Sequence, residues 1–265
     1  MRNGPLVPFD AGKPSLARGY NYALGGKDNF AVDREQHSEV MEVFPLAEVL
    51  VRENREFQAR AVSYVARQGV AQFIDVGCGL PASPGIHELA DQYCPEPRVA
   101  YVDNDPVVIS HVTALLARPG QVAAVPGDVR CPEQILASPA LTEVIDPGSP
   151  YCLILAGMLD FIEPAQAAEI TAAFRRDMPA GSFLILSIGM NDSAPELAQD
   201  VIKAYRAVQV HLHSRDQVAG YLAGLEMVEP GLIEARHWRP ARAPAADAPR
   251  PGDMLAGVGR KAARG

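Results

Sequence analysis

The 265-residue chain is 48% apolar and carries a formal net charge of −8. That content supports one sizeable core with room for an appendage, and the acidic balance argues against nucleic acid or an anionic membrane as a partner. The opening decapeptide has no apolar h-region, and the longest apolar run, residues 151–159, is far short of the ~20 residues a membrane span needs.

Residues 1–19 are rich in Gly and Pro and read as a loose arm. The next stretch, YNYALGGKDNFAVDRE at 20–35, shows no clean helical or strand period. One helix is expected to begin near Asp33. A second is expected from Val51 to Gln68, with Phe57, Ala61, Tyr64 and Val65 on one face and Gly69 closing it.

Beyond residue 70 the texture changes to short apolar runs alternating with helical patterns. QFIDVG (72–77) predicts a buried strand and SPGIHELADQY (83–93) a helix, with Ser83 as N-cap, Pro84 at the first helical position and Ile86, Leu89, Ala90 and Tyr93 inward. A second strand spans 98–103. A helix over 105–117 follows, with Asp105 as N-cap and Pro106 at N1, and then a third strand at 121–125. PYCLILAG (150–157) and SFLILSIG (182–189) are the fourth and fifth strands. Helices are predicted at 194–208 and 214–222, the latter opened by a Ser214/Gln217 capping box. Two closing strands, 226–238 (interrupted at Pro230-Gly231) and 253–261, flank a Pro/Ala-rich surface loop.

Seven continuous apolar strands alternating with helices predict an α/β fold. Its sheet is mostly parallel, covered on both faces, and ends in an edge hairpin. The four cysteines, Cys78, Cys94, Cys131 and Cys152, form no C-x-x-C pair and sit beside no His at metal spacing. They read as reduced thiols in a cytoplasmic protein, with no metal site.

The chemistry concentrates at strand ends. In FIDVGCGLP a buried strand runs into Gly77 and Gly79, which let backbone approach a ligand, and then into a helix. Gly77, Gly79 and Ala82 satisfy the weak dinucleotide pattern, but Pro81 and Pro84 remove donors a pyrophosphate would need. S-adenosylmethionine (SAM) needs fewer donors, and its cationic centres favour acids such as Asp75. In YVDNDP, Asp103 is placed to take ribose hydroxyls beside Asn104, while Asp105 caps the next helix. In VPGDVR, Asp128 and Val129 lie where an adenine edge would, and in AGMLDF, Gly157 and Met158 lie beside the methionine part, with Asp160 toward a substrate or simply in a turn. Each acid has a plain turn-residue alternative; three at three successive strand ends are more specific than one. His211 and His213 would share one side if VHLHS is a strand. They read as edge-strand residues, with a general base or a metal ligand as lesser readings.

Residues 17–35, NREF (54–57), QFIDVGCGLP, YVDNDPVV and VEPGLI…HWRP together resemble a SAM-dependent methyltransferase family long catalogued as a domain of unknown function. Val76 and Cys78 replace the family's usual Ile and Thr, and Asp160 stands where relatives commonly carry His. The resemblance implies a class I methyltransferase, Rossmann-like fold with a SAM site and no assigned substrate. It divides the chain into an N-terminal arm and helical lid or cap (1–70) and a cofactor-binding core (71–265).

On this reading residues 20–35 wall the substrate side, either as a mobile lid hinged at Gly25-Gly26 or as a fixed cap. Tyr20, Tyr22, Lys27 and Asn29 offer contacts. Arg55, from NREF, would reach the cofactor carboxylate. The expected reaction is direct SN2 methyl transfer to a small-molecule O, N or S nucleophile, for which Asp160, His211 and Tyr20 are the catalytic candidates. The rivals are a SAM-binding regulator with weak or no catalysis and an NAD-type oxidoreductase.

Overall fold

A computed structural model describes residues 9–189, 195–205, 209–244 and 254–263. Three helices come first: α1 (Leu16–Ala23), α2 (Ala31–Val43) and α3 (Ala47–Arg67). Then follow β1 (Gln72–Val76), α4 (Ile86–Asp91), β2 (Arg98–Asp103), α5 (Pro106–Leu115), β3 (Val122–Pro126), α6 (Pro132–Leu136) and α7 (Pro139–Thr142). The second half holds β4 (Cys152–Ala156), α8 (Pro164–Arg176), β5 (Phe183–Ile188), α9 (Pro195–Ala204), α10 (Arg215–Tyr221), β6 (Glu226–Met227), β7 (Ile233–Glu234) and β8 (Leu255–Arg260).

The sheet order is β3-β2-β1-β4-β5-β8-β6, with β7 also on β8. β1 to β5 are parallel, and β8 runs antiparallel to β5, β6 and β7. The expected edge hairpin is present. The break expected at Pro230-Gly231 splits its outer strand into β6 and β7, so eight pieces stand where seven strands were read.

Period-two alternation assigns each strand residue to a face. Phe73, Val99, Tyr101, Cys152, Ile154, Phe183, Ile185, Ala256 and Val258 pack with Phe57, Ala61, Val62 and Val65 of α3 and with buried Trp238. Ile74, Val76, Ala100, Val102, Leu153, Leu155, Leu184 and Leu186 pack on the other side with Ile135, Leu141, Ile170, Phe174 and Tyr221. This is the three-layer arrangement of the class I methyltransferase fold.

Several local expectations need correction. Residues 16–23 are helical, not part of a loose arm, and α3 begins four residues earlier than Val51. Ser83 does not cap α4: the Ser83–Pro84 peptide is cis, Gly85 is the N-cap, and its N–H is taken by the Glu88 carboxylate (2.6 Å). Tyr93 lies past the end of α4 and is exposed. VHLHS is not an edge strand; His213 makes only a single bridge. α8 lies between β4 and β5 where no helix is expected from the sequence, because alanines fill much of its buried face, beside Ile170, Thr171 and Phe174, and mute its hydrophobic period. Asp105 and Ser214 cap as expected. Most of the Pro/Ala-rich loop and the ends of the 194–208 helix lie outside the described residues.

Candidate functional site

On the α3 face, the strands turn polar only at their carboxyl ends. Phe73 is followed two residues later by Asp75, Tyr101 by Asp103, and Ile185 by Ser187, all buried. The opposite face stays apolar through Val76, Val102 and Ile188. α3 matches this switch along its length. Phe57, Ala61 and Val65 cover the apolar part, while Asn54, Arg55 and Gln58 meet the polar ends. The chain runs outward from β1 to β3 and returns to β4 on the other side of β1, so the switch point lies between β1 and β4, where open α/β sheets bind ligands.

Gly77 and Gly157 leave β1 and β4 at that switch point. Gly77 sits at φ +73°, and a Cβ there would run into the Met158 side chain. The Gly79 N–H donates to Asp103 Oδ2 (3.0 Å), and the Asp105 N–H donates to Asp103 Oδ1 (2.9 Å). The glycine turn and the end of β2 are thus fastened together by one carboxylate. Burial pushes Asp103 up to about 6, against the pull of these amides. Burial pushes Asp75 up to about 7; Arg55 offsets part of the rise and Asp103 adds to it. Burial, with both acids beside it, also drives the Cys78 thiol well up, away from the thiolate form.

Arg55 donates to Gln58 and to the Pro84 carbonyl (2.9 Å), so its charge stands over the segment that follows the glycine turn. Gln58 in turn reaches Asp75 Oδ1 at 3.5 Å. Tyr20 comes down from α1 onto the same place. Its hydroxyl donates to the Val51 carbonyl (3.2 Å) and accepts from Asn54 Nδ2 (3.2 Å), and it feels the charges of Arg55 and Asp75. Asn54, which sequence reasoning missed, also accepts from Ser187 Oγ (2.6 Å). A Cβ on Gly157 would lie 2.9 Å from Asn54 Nδ2. An asparagine three residues before the predicted core position Phe57 on the same helix was the available signal.

At the end of β3, burial raises Asp128, but the bonds from Arg130 and Asn104 outweigh it and hold the carboxyl below its usual range. Arg130 grips it through Nε (2.9 Å) and NH2 (2.5 Å). Val129 beside it is buried. Asp160 sits buried in a short 3-10 turn after β4, where its carboxylate accepts from the Gly189 N–H (3.1 Å) and its carbonyl accepts from the His211 N–H (2.8 Å). His213 is fully buried with Nδ1 2.8 Å from the Tyr221 hydroxyl, away from solvent. Among the described residues, no three His, Cys, Asp or Glu side chains gather as metal ligands, and no helix is long and apolar enough to cross a membrane.

The opening stretch YNYALGGKDNFAVDRE folds as a helix stop, a turn and a helix start. α1 ends in a Schellman motif: Gly25, at φ +81°, donates to the Tyr22 carbonyl (2.8 Å), and Gly26 donates to that of Asn21 (2.8 Å). Asn29 braces this turn through Asn21 Oδ1 (3.2 Å) and the Gly26 carbonyl (3.0 Å), and Lys27 is exposed. Tyr22 packs edge-on against His37, 5.2 Å between ring centroids. Asp33 is the hub: it accepts from the Ser15 N–H (2.9 Å), Arg18 Nε (2.7 Å) and the Phe30 N–H (2.8 Å). Arg18 and Asp33 are 3% and 1% exposed, a buried ion pair joining α1 to α2. Ser15 Oγ donates to Asp105 Oδ2 (2.8 Å), so α1 is pinned over the sheet's carboxyl edge at Asp105 and at Asn54. Of the residues read as substrate contacts, Tyr20 alone is brought to the acids; the glycines and Asn29 build the turn.

The fold recurs in known proteins. A candidate methyltransferase from Thermobifida fusca YX is 34% identical, over 96% of this chain and 97% of that one, at a TM-score of 0.89. A DUF574 family protein from Streptomyces avermitilis MA-4680 is 35% identical over 95% and 99%, also at 0.89. Magnesium protoporphyrin IX methyltransferase from Synechocystis, solved with bound S-adenosylhomocysteine (SAH), shares the fold at a TM-score of 0.53 and 11% identity, covering 92% of this chain and 93% of that one. A search of curated proteins gives no match. The S-adenosyl methyltransferase family model matches residues 5–262, from the arm before α1 to the end of β8, and with that span and those relatives the chain belongs to the S-adenosyl methyltransferase family.

Proposed function

We propose that the protein transfers the methyl group of SAM to an O, N or S nucleophile on a small molecule. The observation that carries this reading is the acid pair, Asp75 and Asp103, buried at the carboxyl ends of β1 and β2 beside the glycine turn, with the Arg55 guanidinium acting on Asp75. When bound, SAM would supply an electrophilic methyl on a sulfonium: as the nucleophile's lone pair bonds to the methyl carbon the C–S bond breaks, its electron pair stays on the neutral thioether sulfur of SAH, and the nucleophile's proton passes to solvent. Such transfers depend on alignment and a dry site more than on a strong base.

Each residue has work in that arrangement. Asp103 accepts from ribose hydroxyls while its amide bonds hold it in place. Asp128, Asn104 and Val129 border the adenine. Asp75 provides negative potential for the ammonium end, Arg55 receives the carboxylate, and Gly77, Gly157 and Met158 shape the methionine slot. Tyr20 closes the slot from above. The 1–70 segment acts as a cap on the 71–265 core, with α3 as their shared wall, and four free thiols suit a cytoplasmic setting. A dinucleotide fits poorly. The α4 N-terminus that would hold a pyrophosphate is filled by Glu88 on the Gly85 N–H and by the Tyr101 hydroxyl on the His87 N–H (3.3 Å).

The test is a screen of small alcohols, phenols, amines and thiols with methyl-labelled SAM, with a no-acceptor control for cofactor hydrolysis. Label transferred to any acceptor class supports the reading. SAH binding without transfer to any acceptor would instead favour a SAM-binding regulator.

A further inference from the structure

Asn54 lies at the meeting of three elements. Its amide is buried, its Oδ1 accepts from Ser187 Oγ at the end of β5 (2.6 Å), and its Nδ2 donates to the Tyr20 hydroxyl on α1 (3.2 Å). The Val51 carbonyl can only accept and takes the Tyr20 proton, so a flipped amide would turn Oδ1 to the Tyr20 oxygen and lose that bond; the orientation that keeps both bonds holds an N–H toward Tyr20. Gly157 lets this happen: any side chain there would strike Nδ2.

Tyr20 is consequently supplied with a donor and keeps its own O–H proton to give away. That proton now goes to the Val51 carbonyl at 3.2 Å, a carbonyl inside α3 that the helix ladder already uses. A charged acceptor arriving nearby would outcompete it, since bonds to ionised groups are roughly twice as strong. The charges beside the hydroxyl are Arg55 and Asp75, the cation and anion that face the zwitterionic end of an amino-acid ligand.

We infer that Asn54 is a positioning residue that fixes the Tyr20 hydroxyl beside Arg55, so that the two donors together recognise the carboxylate of the cofactor's amino-acid end. This rests on the SAM reading above and extends it. It makes α1 a cofactor-sensing element: the contact that holds the cap down is the contact that reads the ligand.

The experiment is a double-mutant cycle on SAH affinity by calorimetry, using the full chain, Tyr20→Phe, Asn54→Ala and the double variant, with thermal unfolding of each free protein. Each single change should weaken SAH about tenfold, and the double variant should be no weaker than the worse single, since both remove one contact. The coupling should appear in binding and exceed any coupling in free-protein stability, which a purely structural bond would not produce. If Asn54→Ala does not fold, Ser187→Ala replaces it in the cycle, with a smaller loss that also vanishes in the Tyr20→Phe background. Unchanged affinity in Tyr20→Phe, or losses that simply multiply, would overturn the inference while leaving the cofactor reading standing. No SAH binding by the unaltered protein would overturn both.

Discussion

Cofactor binding should tighten steeply between pH 6 and pH 7. Asp75 is pushed up to about 7 and Asp103 to about 6, in both cases chiefly by burial. Both are needed as carboxylates: one to offset an ammonium, the other to accept from ribose hydroxyls. From pH 6 to 7 the ionised fraction of Asp75 rises about fivefold and that of Asp103 about twofold, so affinity rises about tenfold, or ~1.4 kcal/mol. The other groups facing the pair are the Arg55 guanidinium, and Tyr20 and Cys78, which burial keeps neutral across this range. Stability of the free protein should move the opposite way. Folded carboxyls above their unfolded values bind more protons than the unfolded chain, so from this source stability is highest below the ordinary carboxyl value of 3.8, falls as pH rises from there, and levels off above about 6 and 7. The assay is SAH calorimetry at pH 6, 6.5 and 7 in two buffers of different ionisation enthalpy. Release of about one proton or slightly more is expected at pH 6. Flat affinity with no proton release would refute the assignment of these acids to the ligand.

Three further outcomes follow from the geometry. Asp33→Ala strands a buried Arg18 and removes three accepted bonds, and should cost about 3–5 kcal/mol of stability in chemical denaturation; a loss under ~1 kcal/mol would mean the ion pair is not formed. Asp103→Ala should weaken SAH by about 1.5–3 kcal/mol, whereas Asp105→Ala should cost about 1 kcal/mol of stability through the lost α5 cap; swapped phenotypes would mean the β2 register is misassigned. Gly25→Ala forces Cβ into a left-handed Schellman position and should destabilise by about 1–2 kcal/mol; hydrogen exchange at amides 20–35 that is fast in the free protein and slow with SAH would identify a mobile lid, and strong protection in both states a docked cap.

The core was legible because its signals are local. Buried parallel strands are continuous apolar runs, and Asp105-Pro106 and Ser214-Arg-Asp-Gln217 announce their helices within one turn of sequence. The acids at 75, 103 and 128 stand out because a carboxylate at the end of an apolar run is chemically conspicuous. What stayed hidden depends on distant partners. Asn54 looks like any helical asparagine until β5 brings Ser187 to it across 133 positions of sequence. α1 was missed because Gly25-Gly26 interrupts any helical period; their hydrogen bonds make them the stop of a short helix. Asp33 gave no hint that three donors converge on it. The Ser83–Pro84 turn moved the α4 cap because Glu88, rather than Ser83, satisfies the free N–H.

The central claim is that the acid-lined switch point between β1 and β4 holds SAM. Titrating the purified protein with SAH and, separately, with NADH tests it most directly. The account predicts micromolar SAH binding that is lost or sharply weakened in Asp103→Ala, and no heat with NADH. Low-micromolar NADH binding with no response to SAH would contradict it.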